Sequence, residues 1–152
     1  MRITNPRNRQ RGMNLIELLV VVAIVGMLAA VAYPSYVQHI VDTKRTASRS
    51  VLLQVADRQQ QFFMDNKTYA ADLTNLGYGA NPLVVADDGR EVASGDADSV
   101  YSISLSNVAV TTYTITAAPL NGQLSRDTHC GSMTLNQSGN RSQTGSGTDC
   151  WN

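Results

Sequence analysis

The chain has 152 residues, 43% of them hydrophobic and 16% charged, which suits one domain with a packed core and excludes wholesale disorder. Its formal charge of zero conceals an asymmetry: Arg2, Arg7, Arg9 and Arg11 stand among the first 12 residues without an acid, leaving eight basic against twelve acidic side chains in the other 140. That balance argues against a general nucleic-acid binder, and two histidines with two cysteines argue against a zinc cluster. No G-x-S-x-G, H-E-x-x-H or phosphate-loop motif occurs, so the chain reads as a non-enzyme with no catalytic residues, metal ligands or cofactor.

The basic leader runs into Leu18 to Tyr33, where Gly26 is the one residue that is not apolar. No charge returns until Asp42, so residues 18–41 form an uncharged stretch of 24 positions, about 36 Å as a helix and long enough to cross a bilayer. The arginines would hold the leader on the cytoplasmic side. A secretory signal peptide cut near Ala30-Val31-Ala32 is the competing reading. Glu17 stands against it, because a carboxylate at a bilayer centre costs about 2.5–3.5 kcal/mol or more and therefore marks a function. If the chain is cut after Gly12, Met13 gains a free amine, and Glu17 lies four residues on along the same helix face. An acid and an amine in lipid each need a partner, and pairing between neighbouring helices would set a fixed axial offset.

The run Arg11-Gly12-Met13-Asn14-Leu15-Ile16-Glu17-Leu18-Leu19-Val20 resembles the processing site of type IV prepilins, with a class III leader. The family more often has Phe where Met13 stands and Thr where Asn14 stands. The resemblance implies cleavage after Gly12 by the prepilin peptidase, N-methylation of Met13, and subunit registry through Glu17. It also implies a leader at 1–12, a transmembrane and filament-core half at 13–36, and a globular domain at 37–152.

Pro34 should kink the helix. Beyond it, Val37, Ile40, Val41, Ala47, Val51, Leu52, Val55, Phe62 and Phe63 recur at helical spacing, with Asp42, Lys44, Arg45, Arg49, Asp57 and Arg58 assigned to the other face. Similar pilins can lose helicity between a Gly26-like and a Pro34-like breaker. Asp65 to Thr68 should end the helix, and Tyr69 and Leu73 should anchor the connection to the sheet. Residues 79–99 read as an exposed loop. Its acids Asp87, Asp88, Glu91, Asp96 and Asp98 lack the EF-hand pattern and read as solvated, with calcium as the minority alternative.

Residues 100–106, 112–117 and 132–136 alternate as strands with one buried face. Cys130 and Cys150 lie beyond the membrane segment, where the topology sets an oxidising periplasm. A disulfide between them would stabilise by about 3 kcal/mol; the alternative, two redox-active thiols, lacks a C-x-x-C spacing. Thr128 to Asn136, Gly139-Asn140-Arg141 and Asp149-Cys150-Trp151 resemble the C-terminal part of PilE-type minor pilins, whose cysteines bracket an exposed region. His129, beside Cys130, is set aside as a catalytic base because a thiol committed to a disulfide cannot serve as its nucleophile and because adjacent strand residues point apart.

The expected fold is α+β, a long kinked N-terminal helix packed on a C-terminal antiparallel sheet. The expected function is a minor pilin stored in the inner membrane with its C-terminal domain in the periplasm, then built into an extracellular pilus. Its partners would be the major pilin, other minor pilins and, indirectly, an inner-membrane platform protein and an assembly ATPase. A secretion pseudopilin, the major pilin itself and a DNA-uptake pilin are the alternatives. The last would rest on a small basic patch of Lys67, Arg126 and Arg141.

Overall fold

The computed structural model describes residues 14–151, and the chain divides into two compact units, 1–38 and 39–152. Helix α1, Leu15–Asn66, contributes to both and carries Gly26 and Pro34 within an uninterrupted helical run. In the first unit its apolar side chains are uncovered: Leu15, Ile16, Leu19, Val22, Leu28 and Val31 are all exposed. This helix is long and apolar enough to cross a membrane.

In the second unit, α1 lies on a six-stranded antiparallel sheet of order β2-β1-β3-β4-β5-β6. The strands are β1 Leu83–Val85, β2 Glu91–Val92, β3 Tyr101–Ser106, β4 Thr114–Pro119, β5 Met133–Asn136 and β6 Arg141–Gln143. Tyr101 pairs with Pro119 and Ile103 with Ala117 across β3 and β4, and Ile115 pairs with Leu135 across β4 and β5. Alternation then turns Tyr101, Ile103, Ile115, Ala117 and Met133 to the helix, where they close a core with Val51, Leu52 and Val55. Each of the larger aliphatic side chains among them, such as Ile103, Ile115, Leu52 and Met133, stabilises by roughly 1.5–3 kcal/mol when fully buried.

The helix ends at Asn66, and Lys67 turns the chain with φ of 58° while its N–H still donates to Phe63 O at 2.8 Å. Tyr69 anchors the connection as expected, stacked on Phe63 at 4.7 Å and edge-on to Tyr113 at 4.6 Å. Leu73 is fully buried in a 3-10 turn, Leu73–Leu76, capped by Asp72. Buried Gln59 meets both sides of one residue, donating to Ala70 O and accepting from Ala70 N–H, each at 2.9 Å.

Several expectations need correction. Residues 79–99 are not simply an exposed loop: Leu83 and Val85 enter the main core, while Val84, Ala86 and Val92 form a second cluster with Leu120 on the opposite face. Because β1 is buried on both faces, it lacks the alternation that marks a half-wet strand. Strand β6 is polar and exposed at its first two positions, and helix α2, Asn121–Arg126, is only six residues long, so neither shows a hydrophobic period. Arg45 does not belong to the polar face of α1. It falls on the buried stripe with Val41, Ser48, Leu52, Val55 and Gln59.

Candidate functional site

Two regions carry the chemistry that the sequence singles out. The first is the start of α1. Gly12 and Met13 lie outside the described residues. Glu17 is exposed in the first turn, where the positive end of the helix dipole favours it, and Asn14 Oδ1 accepts from Ile16 N–H at 3.4 Å. Leu15, Leu18, Leu19, Val22 and Ala23 line an uncovered apolar groove beside it. A lone acid within a bare apolar helix suits burial against like helices, where a cation on a neighbour can meet it.

The second region surrounds the Cys130–Cys150 disulfide, which joins the segment after α2 to the chain's end across 20 positions. His129 and Cys130 sit in a turn, not on a strand, so the strand argument against a catalytic His129 does not apply. The imidazole is nonetheless engaged elsewhere: His129 Nε2 lies 3.0 Å from Asp149 Oδ1 across the disulfide. That hydrogen bond holds the Asp149 carboxyl below its ordinary value. Asp149 also lies close to both sulfurs, but these are bonded to one another and offer a metal no thiolate.

Beyond Cys150 the chain folds back over β6. Trp151 Nε1 donates to Ser142 O at 3.2 Å, and the Arg141 guanidinium lies over the indole, 5.4 Å from the ring centroid. From α1, Arg49 reaches the same place and donates to Cys150 O at 3.4 Å. Thr46, Arg49, Ser50, Leu53, Arg141 and Trp151 together line a shallow groove. Partial burial, then the nearby Arg45 and Arg141 charges, pull the Arg49 pKa down, as expected where cations gather. Two guanidiniums beside an indole form a surface suited to phosphates and flat rings.

The basic patch on which the DNA-uptake alternative would rest, Lys67 with Arg126 and Arg141, is not formed. Arg126 adjoins Asp127, which binds Arg45, whereas Lys67, just past the end of α1, is 22 positions beyond Arg45 and donates from Nζ to Met64 O. At 1.5 Å per residue that separation is about 33 Å. Arg126 lines a recess with Lys44, while Arg141 shares a groove with Arg49. At 3.6 residues per turn, Lys44 and Arg49 flank the buried stripe of α1 on opposite sides. Sequence reasoning missed Arg49 and Trp151 as partners of Arg141, because only the disulfide brings the chain's end back to the helix.

The acidic residues of 87–98 are largely engaged within the chain. Arg90 pairs with Asp88 at 3.5 Å and Asp98 at 3.0 Å, Glu91 accepts from Gly79 N–H at 2.9 Å, and Asp96 accepts from Asp98 N–H at 2.9 Å. Beneath both surfaces, Asp127 is wholly buried and accepts from Arg45, Tyr101 and Gln123. Burial alone would lower the Arg45 pKa, but the Asp127 hydrogen bond and charge reverse this and leave it raised. Burial, then the bond to Asp127, pushes the Tyr101 hydroxyl well up.

Comparison with known proteins identifies the family. The model of a family described as "Type IV minor pilin ComP, DNA uptake sequence receptor" matches residues 34–134, and that of the "Prokaryotic N-terminal methylation motif" matches residues 7–33. Among curated relatives, the chain is 33% identical over 78 residues to the type IV major pilin protein PilA of Myxococcus xanthus, covering 51% of this chain and 36% of that protein. It is 29% identical over 101 residues to the type IV major pilin protein PilE of Neisseria gonorrhoeae, covering 65% and 59%. A fimbrial protein of Moraxella nonliquefaciens is 38% identical over 101 residues, covering 62% and 66%. The matches thus span between 36% and 66% of these relatives' own length. The bare helix with its single acid and the sheet that buries the rest of that helix have one explanation in common: this chain belongs to the type IV pilin family.

Proposed function

We propose that this pilin is a minor subunit of a type IV pilus that takes part in DNA uptake. In this reading the chain waits in the inner membrane with its globular domain in the periplasm, after the prepilin peptidase has cut after Gly12 and Met13 has been methylated. Glu17 then pairs with the terminal amine of a neighbouring pilin as the helix moves from lipid into the filament. Its apolar surface stays buried in both settings, so the transfer needs no exposure to water. The platform protein and ATPase supply the work.

The observation that carries the DNA role is the meeting of Arg49, Arg141 and Trp151 at the disulfide. It is supported by the match of residues 34–134 to a family described as a DNA uptake sequence receptor. The net charge of the domain is negative, so binding would depend on this local surface and not on a general basic field.

Two measurements test the reading. Filaments sheared from cells should contain the chain, starting at Met13, as a small fraction relative to the most abundant pilin. A dominant share would make it the major subunit. The purified chain should bind DNA with an affinity that falls as salt rises, and Arg49→Ala with Arg141→Ala should remove most of that binding. DNA affinity unchanged in the double variant would end the DNA role while leaving filament membership intact.

A further inference from the structure

On the other flank of α1 from the Arg49 groove lies a recess of about 160 Å³, well above the roughly 10–15 Å³ that holds one water. Its wall includes Ile40, Lys44, Asp87, Ser99, Asn121 and Arg126. Three of its charged groups are uncommitted: among the described residues, the side chains of Lys44, Arg126 and Asp87 make no hydrogen bond or ion pair. A fourth group is orphaned outright. Ser99 is 4% exposed, and its Oγ is buried without any hydrogen-bond partner. Native folds rarely leave a buried hydroxyl in that state, and a missing ligand is one reason for it. The Ser99 segment is itself held firmly, since Asn121 Nδ2 donates to Ser99 O at 3.0 Å and Ser99 N–H donates to Asp96 O at 3.1 Å.

We infer that this recess binds a phosphoethanolamine zwitterion, and that its source is the headgroup of a membrane phospholipid. Lys44 and Arg126 supply two cations and Ser99 a hydroxyl donor for the phosphate, while Asp87 receives the ammonium; Asp98, also in the wall, is held by Arg90. Neither a plain anion nor a plain cation would use all of these groups. The lipid source follows from position in the chain. Ile40 and Val41 are the last residues of the uncharged stretch 18–41, and Lys44 lies three residues later, about 4.5 Å further along the helix. Along this one helix, a membrane span that ends at Val41 brings Lys44 to headgroup level, where a long basic side chain reaches lipid phosphate. This assignment of source rests on the membrane-stored state proposed above; the chemistry of the recess does not.

The test uses the full chain in a maltoside detergent, titrated with dihexanoyl phosphatidylethanolamine, dihexanoyl phosphatidylglycerol and free phosphoethanolamine, with binding read by native mass spectrometry. Lys44→Gln and Arg126→Gln should each weaken both lipids by about tenfold or more. Asp87→Asn should weaken the ethanolamine lipid and leave the glycerol lipid unchanged, erasing the preference between them. Unaltered circular dichroism in each variant separates these effects from misfolding. Ethanolamine-lipid binding that survives Arg126→Gln, or no loss of preference in Asp87→Asn, would overturn the site. Free phosphoethanolamine binding as tightly as the lipid would overturn the membrane source alone. Failure of the chain to enter filaments would bear on the pilus role without touching these titrations.

Discussion

Arg45 on α1 and Asp127, just past α2, are 82 positions apart in the chain and locked side by side: Nε donates to Oδ2 at 3.1 Å and Nη2 to Oδ1 at 2.5 Å. Tyr101 Oη and Gln123 Nε2 also donate to Oδ2, and Gln123 reaches Val41 O at 3.2 Å. One carboxylate thus joins α1, β3 and α2. Both partners are almost wholly buried, so the pair is bidentate, desolvated and costly to break from either side.

Replacing Asp127 by Asn should therefore destabilise the domain by about 3–5 kcal/mol, because it leaves the buried guanidinium with half-exposed Asp42, 3.1 Å from Nη1, as its remaining carboxylate partner. Chemical denaturation of the purified chain measures this. Arg45→Met combined with Asp127→Leu should recover much of the loss; a double variant as unstable as Asp127→Asn would mean that Tyr101 and Gln123, not the charge, depend on Asp127.

Acid should weaken the junction after α1 through Asp72. Its carboxylate accepts from Thr74 N–H at 2.8 Å, Thr74 Oγ1 at 2.7 Å and Asn81 Nδ2 at 2.8 Å, which holds its pKa below 3.8 in the folded chain. A depressed folded-state value contributes stability above the unfolded pKa and loses it as pH falls through the folded one. Melting temperature should thus decline below pH 3.8, and less steeply in Asp72→Asn. Identical acid slopes in the two proteins would remove Asp72 from the account.

Loss of the disulfide should cost about 3 kcal/mol by the loop-closure argument, or roughly 6–12 °C of melting temperature in a domain of this size. Cys130→Ala with Cys150→Ala, compared with the oxidised protein by calorimetry, gives the number. Trp151 should become more exposed in the variant, as read by its fluorescence, because the bond holds the chain's end against β6.

Glu17→Val should be processed and remain in the membrane, since the substitution makes the helix more apolar. Its share of sheared filaments should fall by roughly tenfold or more, the factor that about 1.4 kcal/mol gives. Normal incorporation of a protein that starts at Met13 would rule out registry through this carboxylate.

The two parts of the proposed DNA surface should behave differently. Arg141→Ala should make the salt dependence shallower by about 0.9 for each lost contact to duplex phosphate. Trp151→Ala should weaken single-stranded DNA by about 1–3 kcal/mol while leaving the salt slope unchanged. Equal effects of both variants on slope and affinity would point to a disturbed loop in place of a recognition surface.

The long helix, the strands β3, β4 and β5 of the sheet on which it lies and the acid at its start were legible from residue order, because each is a local signal. An uncharged run, a stripe at helical spacing and alternation in Tyr101–Ser106 depend only on near neighbours. The position of Arg45 was legible in principle as well. It stands four residues after Val41 and seven before Leu52, on the buried stripe, but its charge argues for water and its partner lies 82 positions away. Only the fold decided that Asp127 would be there to receive it. Long-range closure likewise decided that β1 would be buried on both faces and that polar β6 would complete the sheet edge. It also brought Trp151 back over Arg141 and gave Lys44 and Arg126 one recess while sending Arg141 to the other flank of the helix. Sequence periodicity shows which face of an element must be covered; what covers it is settled by packing among segments far apart in the chain.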